Sequence, residues 1–241
     1  LQGAVALALT PNMVKTLLAG GSQTKLKVPP ELLQKVIASA LKRGGDFAEV
    51  YVENRISRTI LLEEGKFKSA VFGLVGGAGV RVIDGDKTGY AYSDELSEEK
   101  LLRAAEVASF IASSGKKIRP INIKEQKRPS YVTVKIPREE VAEARRMEIM
   151  KRAEEAALSY DPRIKMASID YYDETRDRLI ANSEGLLVKS SLPLIFFIVQ
   201  TLAVGNGSSH MGRERLSRHA GLEMFEEESP EKAAREAARE S

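Results

Sequence analysis

His210 and His219 are the only histidines in this chain of 241 residues, and there is no cysteine. A catalytic zinc site usually draws on three protein ligands and keeps one position open. Two histidines nine residues apart, with Gly212 and Gly221 beside them, cannot be presented together by one helical face. They read as surface or loop residues, not as a metal pair. No serine, lysine or carboxylate can be singled out as half of a nucleophile–base pair. A third candidate is the glycine run Gly73, Gly76, Gly77, Gly79. It is not the phosphate-loop pattern, and Val80-Arg81-Val82 continues as strand where a phosphate site needs a helix N-terminus. These glycines are expected at a bulge or a close backbone approach in a sheet. The segment is therefore expected to hold no catalytic residue and no metal ligand.

The elements around these residues follow one plan twice. A helix is expected over Pro30 to Arg43, with Leu33, Val36, Ile37, Ala40 and Leu41 as its apolar stripe and Gly44-Gly45 as its stop. Extended segments follow at Phe47–Glu53, Arg58–Leu62, Lys66–Phe72, Ala78–Ile83 and Thr88–Tyr92. Glu63-Glu64-Gly65 and Asp84-Gly85-Asp86 supply hairpin turns. Ser97 then caps a helix to about Ala112. In the second unit Pro137 starts a helix through Leu158, striped by Met147, Met150, Ala153 and Ala157. Strands are expected at Met166–Tyr172, Arg178–Ala181, Leu186–Ser190, Leu194–Val204 and Ser208–Arg213, and a helix from Ser229 closes the unit. Sliding the chain by 120 residues lays Tyr51 on Tyr171, Glu53 on Asp173, Arg58 on Arg178 and Gly65 on Gly185 without a gap. The expected fold is α+β: two tandem helix–antiparallel sheet–helix units, arising by duplication or by convergence on one plan. An amino-terminal arm occupies 1–27, the units 28–115 and 137–241, and a connection 116–136.

The 37 basic and 34 acidic residues nearly cancel, and aromatics are 6% with no Trp. That argues against a dedicated nucleic-acid binder, which clusters cations on one face or stacks bases on aromatics. The absence of cysteine excludes disulfides and fits a reducing compartment. No run reaches the roughly 18 apolar residues of a membrane span. Leu192 to Val204, the longest apolar stretch, is broken by Pro193, Gln200 and Thr201 and reads as a buried strand. Leu1 reads as a cut or processed end, and the alanine-rich tail as a helix truncated near Ser241. The Arg pairs and the runs Glu139-Glu140 and Glu226–Glu228 read as solvated faces.

The order of turns and glycines from Leu62 to Ser97 is unusual. Glu64-Gly65-Lys66, Gly77 through Val82, Gly85 through Tyr92 and Asp94-Glu95-Leu96-Ser97 resemble the amino-terminal part of the TldD/PmbA family of zinc metallopeptidases, and more its TldD branch. The likeness continues through Asn182-Ser183-Glu184-Gly185 to Ala220-Gly221-Leu222-Glu223. The resemblance implies a cytoplasmic peptidase acting on peptides or unfolded polypeptides. Its zinc would be held by an HExxxH helix, to which nothing here corresponds and which is expected beyond Ser241. It also implies a homodimer, or a dimer with a PmbA-type subunit that lacks the zinc motif. This segment would then form substrate-chamber walls and part of a dimer interface. Arg81, Asp86, Lys87, Tyr90 and Asp94 are the candidates for lining that chamber. Their other reading is plain hairpin edges and a helix entry. The alternative function is a non-catalytic PmbA-type subunit or binding scaffold.

Overall fold

Positive-φ turns divide most of the chain into long hairpins. The computed structural model describes residues 26, 28–112, 122–127 and 132–241. The expected arm apart from Leu26 and Val28, and much of the expected connection, lie outside the described residues. In chain order the elements are α1 (Pro30–Ala40), β1 (Phe47–Glu63), β2 (Lys66–Asp84), β3 (Lys87–Ser93), α2 (Glu98–Ala112) and β4 (Lys124–Glu125). After a 3₁₀ turn at Arg138–Glu140 come α3 (Glu143–Leu158), β5 (Ile164–Asn182), β6 (Leu186–Gly205), β7 (Ser208–Arg218), α4 (Met224–Glu227) and α5 (Pro230–Glu240). Glu64 and Gly65 carry φ of 52° and 71° between β1 and β2, and Asn206 and Gly207 carry 52° and 76° between β6 and β7. Both central residues left-handed is the turn whose twist suits a two-residue hairpin.

All the strands share one sheet. Its order is β3-β2-β1-β5-β6, with β7 beside β6 and β4 touching the start of β6. The two halves meet where β1 pairs antiparallel with β5, from Glu49↔Asn182 to Glu63↔Ser168. Each pair of short strands expected within a hairpin arm is one long strand. Polar stretches such as Asn54 to Ser57 are not breaks, because they stay in the β1–β2 ladder opposite Gly76 to Gly73. The glycine run does lie inside the sheet, but the one register shift in this ladder falls at Leu61/Leu62.

Among the described residues, helices cover one face of the sheet. On β1 the even positions Val50, Val52, Ile60 and Leu62 are buried, and on β5 the odd positions Ile169, Tyr171, Leu179 and Ala181. Period-two alternation makes these one face. Two cores sit on it. One joins α1 and α2 to Val50, Val52, Val80 and Val82 but also takes Leu179, Ala181 and Leu187 from the second half. The other joins α3 and α5 to Ile169, Phe197 and Val199 but takes Ile60, Leu62 and Phe67 from the first. Each hairpin thus ends under the other half's helices. The tips are bonded there: the Gly65 N–H donates to Glu154 Oε1 at 2.7 Å, and the Ala48 N–H to Ser183 Oγ at 3.0 Å.

The 120-residue register does not survive. It lays Tyr51, half-buried on the helix-free face, over Tyr171, fully buried under α3. In a strand a shift of one residue changes faces. A spacing of 121 lays one local pair on another, since Tyr51 donates to the Glu53 carboxylate two residues on and Tyr172 to Glu174 Oε2 at 2.6 Å, but it takes Gly65 off Gly185, so no single spacing aligns the two halves. Both halves also press a helix onto a strand glycine. A Cβ at Gly89 would run into the Ala108 carbonyl oxygen of α2, and one at Gly212 into that of Ala237 in α5.

Candidate functional site

Between the two cores the middle of the sheet is covered by charged side chains and bordered by a cleft. Here β5 carries Asp173, whose carboxylate is fully buried. Arg138 Nη1 donates to Asp173 Oδ1, Arg146 Nε to Oδ2 at 3.1 Å, and the Tyr171 hydroxyl to Oδ2 at 2.7 Å. Arg58 of β1 reaches the same oxygen at 3.5 Å and the Glu143 carboxylate at 3.4 Å. Arg146 also donates to the Val141 carbonyl at 2.9 Å and to the Arg138 carbonyl. Three guanidiniums therefore meet Asp173, with Glu143 and Glu139 at the margin. Burial works against the Arg146 charge, yet Tyr171 and Asp173 hold its pKa above the ordinary value. Burial, then the Asp173 charge, push the Tyr171 hydroxyl well above its own. A fixed, neutralised cluster of this kind positions the entry of α3 on the sheet. It offers no poised acid, base or nucleophile.

Arg138 and Glu139 are shared with a cleft of ≈ 690 Å³. Ile56, Val134, Pro193 and Ile195 give it apolar walls, while Thr175, Asp177 and Lys189 add polar groups of both signs. Volume and lining suit a small organic ligand or a few residues of peptide. One wall is set by Glu223, which accepts from the Ile136 N–H at 2.8 Å and the Gly221 N–H at 2.9 Å. Burial opposes the Glu223 charge, but these N–H groups outweigh it and hold the carboxyl below its usual range. On the helix-free face, burial and then the bond to Glu174 push Tyr172 up to about 12.

The residues expected to line a chamber do not meet at one point. Arg81 and Tyr90 are ladder partners on β2 and β3. Arg81 pairs with Glu49 at 3.1 Å, and Tyr90 is 57% exposed, its ring over Gly79. Asp86 and Lys87 lie at the β2–β3 hairpin, and Asp94 follows the far end of β3. Seven residues of strand separate Lys87 from Asp94 by roughly 23 Å. Sequence reasoning missed the Asp173 cluster: Arg146, read as a solvated face, is 1% exposed. The available signal was Tyr171-x-Asp173 on one strand face, with an arginine in the stripe of α3.

Among the described residues no group of three or more His, Asp or Glu side chains is placed to hold a metal ion. His210 lies within β7, and His219, past its end, holds the Pro193 carbonyl at 2.8 Å. Nine residues of extended chain keep the two roughly 30 Å apart. These residues do not fit the zinc of a metallopeptidase.

Residues 48–112 match the sequence model of the PmbA/TldA metallopeptidase domain 1, and residues 136–241 that of the PmbA/TldA metallopeptidase central domain. Together the two span well over half of the chain. The chain belongs to the PmbA/TldD family. A metalloprotease TldD homolog of Haemophilus influenzae is 26% identical over 185 residues, covering 76% of this chain and 38% of the relative. Among solved structures, a protein of Thermotoga maritima described as a modulator of a DNA gyrase superposes with a TM-score of 0.70 at 21% identity, over 87% of this chain and 47% of that one. TldE from Thermococcus kodakarensis gives 0.67 at 17% identity, over 84% of this chain and 46% of its own. This PmbA/TldD chain thus spans between a third and a half of the relatives it matches. The resemblance carried by Leu62 to Ser97 is confirmed, and so is the α+β fold.

Proposed function

We propose that this chain is the wall-forming portion of a cytoplasmic, zinc-dependent peptidase that hydrolyses peptides or unfolded polypeptides. The observation that carries the proposal is the consecutive match to two metallopeptidase domains of one family. The zinc, and the water it activates, would belong to a part of the protein other than the described residues. This segment contributes walls and a share of a dimer interface, either with itself or with a PmbA-type subunit. Supporting a wall role, the middle of the sheet presents a mostly apolar cleft with charged groups of both signs, beside the buried Asp173 cluster. Arg81, Asp86, Lys87, Tyr90 and Asp94 are proposed to meet the substrate in turn along its length, because they are spread along a hairpin and not gathered at one point.

The test uses the full-length natural protein with an unstructured polypeptide and a folded protein as substrates. Hydrolysis of the first, sparing of the second and loss of activity on chelation are expected. Arg81→Ala or Tyr90→Ala should raise KM while leaving kcat nearly unchanged. A full-length protein that cuts neither substrate would favour the non-catalytic PmbA-type subunit or scaffold.

A further inference from the structure

On the helix-free face one short pattern occurs in both halves: Tyr51-x-Glu53-x-Arg55 on β1 and Tyr172-x-Glu174-x-Arg176 on β5. The strands run antiparallel, so the patterns converge, and Arg55 and Arg176 are direct ladder partners. Like charges directly opposite each other destabilise a strand pair. The second pattern is closed: buried Glu174 accepts from the Tyr172 hydroxyl and from Arg176 Nη2 at 3.0 Å. The first is not. Its Glu53 accepts from Tyr51 and, at 3.3 Å, from Arg178 Nε of the other half. Arg178 stands two residues past Arg176, where the first half has only Ser57 two residues past Arg55. Three guanidiniums therefore share two carboxylates, and Arg55 makes no ion pair or hydrogen bond among the described residues. The Arg176 Nε is buried without a partner. On β2, Val75 faces Arg55 between Gly73 and Gly77, so that side supplies no counter-charge.

We propose that Arg55 and Arg176 hold one carboxylate of a bound polypeptide, an acidic side chain or a free carboxyl terminus, on the helix-free face. A carboxylate between the two guanidiniums supplies the missing negative charge and relieves their repulsion. It also accepts from Arg55 in the forked geometry that a guanidinium offers. One surplus cation suits one carboxylate. A nucleic acid needs a continuing run of cations, whereas this face continues along β1 and β5 to Glu49, Glu63 and Asp170. The exposed Val71 and Val75 beside the arginines offer apolar surface to the residues flanking that carboxylate. The proposal names a preference within the peptidase reading above and rests on it in expecting a polypeptide.

Fluorescence anisotropy on the 241-residue chain tests it with three labelled peptides. Two are amidated, one alternating Glu with Ser and one Gln with Ser; the third is the Gln peptide with a free carboxyl terminus. The parent should bind the Glu peptide about fivefold or more tighter than the Gln amide. The third peptide supports a chain-end site if it binds like the Glu peptide, and a side-chain site if it binds like the amide. Arg55→Gln should erase the preference while leaving the urea midpoint unchanged or higher, and Arg55→Lys should keep part of it. Ser57→Glu retains every arginine but gives Arg55 a carboxylate of its own, and it should erase the preference too. Lys35→Gln, on α1, should leave it intact. Equal binding of the Glu and Gln amides by the parent would overturn the proposal. So would a preference that survives Arg55→Gln and Ser57→Glu, one that Lys35→Gln also erases, or tighter binding of single-stranded DNA at the same salt. Binding is read without hydrolysis, so a full-length protein that cuts nothing would sink the peptidase reading and leave this result standing.

Discussion

Val52 of β1 and Asp173 of β5 are both buried on the helix-covered face of the sheet, yet one is a plain core residue and the other a carboxylate among arginines. Each follows, on the helix face, a tyrosine of the Tyr-x-Glu pairs that mark the repeated plan. Around Val52 the first half needs only side chains without charge: Val50, Val80, Ala105 and Ala108 are buried beside it in one core. The second half places Tyr171 and Asp173 there and brings Arg138, Arg146 and Arg58 to them. Burying ions costs several kcal/mol each before pairing, so such a cluster adds little net stability while making every member indispensable. The same plan therefore yields a forgiving half and a brittle one. The brittle half is the one whose charged cluster borders the cleft.

The sharpest way to break that comparison is to exchange the two chemistries. Asp173→Val alone should cost about 3–5 kcal/mol, because it strands two buried guanidiniums. Adding Arg138→Met and Arg146→Met should recover most of the loss, and urea denaturation of the three-variant series measures both. If Asp173→Val were no worse than Val52→Ala, the brittleness would be refuted.

A second prediction concerns what the halves share. Gly89→Ala and Gly212→Ala should each cost about 1–3 kcal/mol, since either methyl must displace a helix backbone. The atoms such a methyl would meet are backbone, Ala112 N at 3.0 Å and Ser241 N at 2.9 Å among them, which cannot rotate away as a side chain could. Unequal costs would show that the helix-on-glycine packing differs between the halves.

Glu223 gives a pH test confined to the second half. Its carboxyl titrates lower in the folded chain, so its contribution is present above the ordinary value of about 4.3. It is lost as pH falls through the depressed folded value. Glu223→Gln should flatten that acid limb, and Glu223→Ala should cost about 1–3 kcal/mol by leaving buried N–H groups unpaired. A limb of unchanged slope in Glu223→Gln would assign the acid sensitivity elsewhere. The smallest effect is expected at the exposed Lys35–Glu98 pair, 3.0 Å apart on α1 and α2. Lys35→Ala should move stability by less than about 1 kcal/mol.

Much of this architecture was legible because it is written locally. Glu64-Gly65, Gly85-Asp86, Pro30 and Ser229 announce turns and helix starts through their own backbone chemistry, and the Ser229 hydroxyl does accept the Lys232 N–H. Other features depend on partners distant in sequence. Asn54 to Ser57 looked like a gap because their strand partners lie in two other hairpin arms. The one-residue error in the repeat came from matching residue types, since Tyr171 and Tyr172 are adjacent and only burial tells which one faces out. Arg146 reads as solvent-facing until Asp173, 27 residues on, is brought beneath it. The break expected between Leu194–Val204 and Ser208–Arg213 is a two-residue hairpin, because Asn206 and Gly207 both take the left-handed conformation.

Zinc content and hydrolysis of an unstructured polypeptide, measured in parallel on the 241-residue chain and on the full-length protein after dialysis, test the central claim most directly. The account predicts stoichiometric zinc and hydrolysis in the full-length protein, and neither in the shorter chain, whose His210 within β7 and His219 beyond its end are held apart. One tightly bound zinc per 241-residue chain, or cleavage by it, would contradict the assignment of this segment to the walls of the chamber.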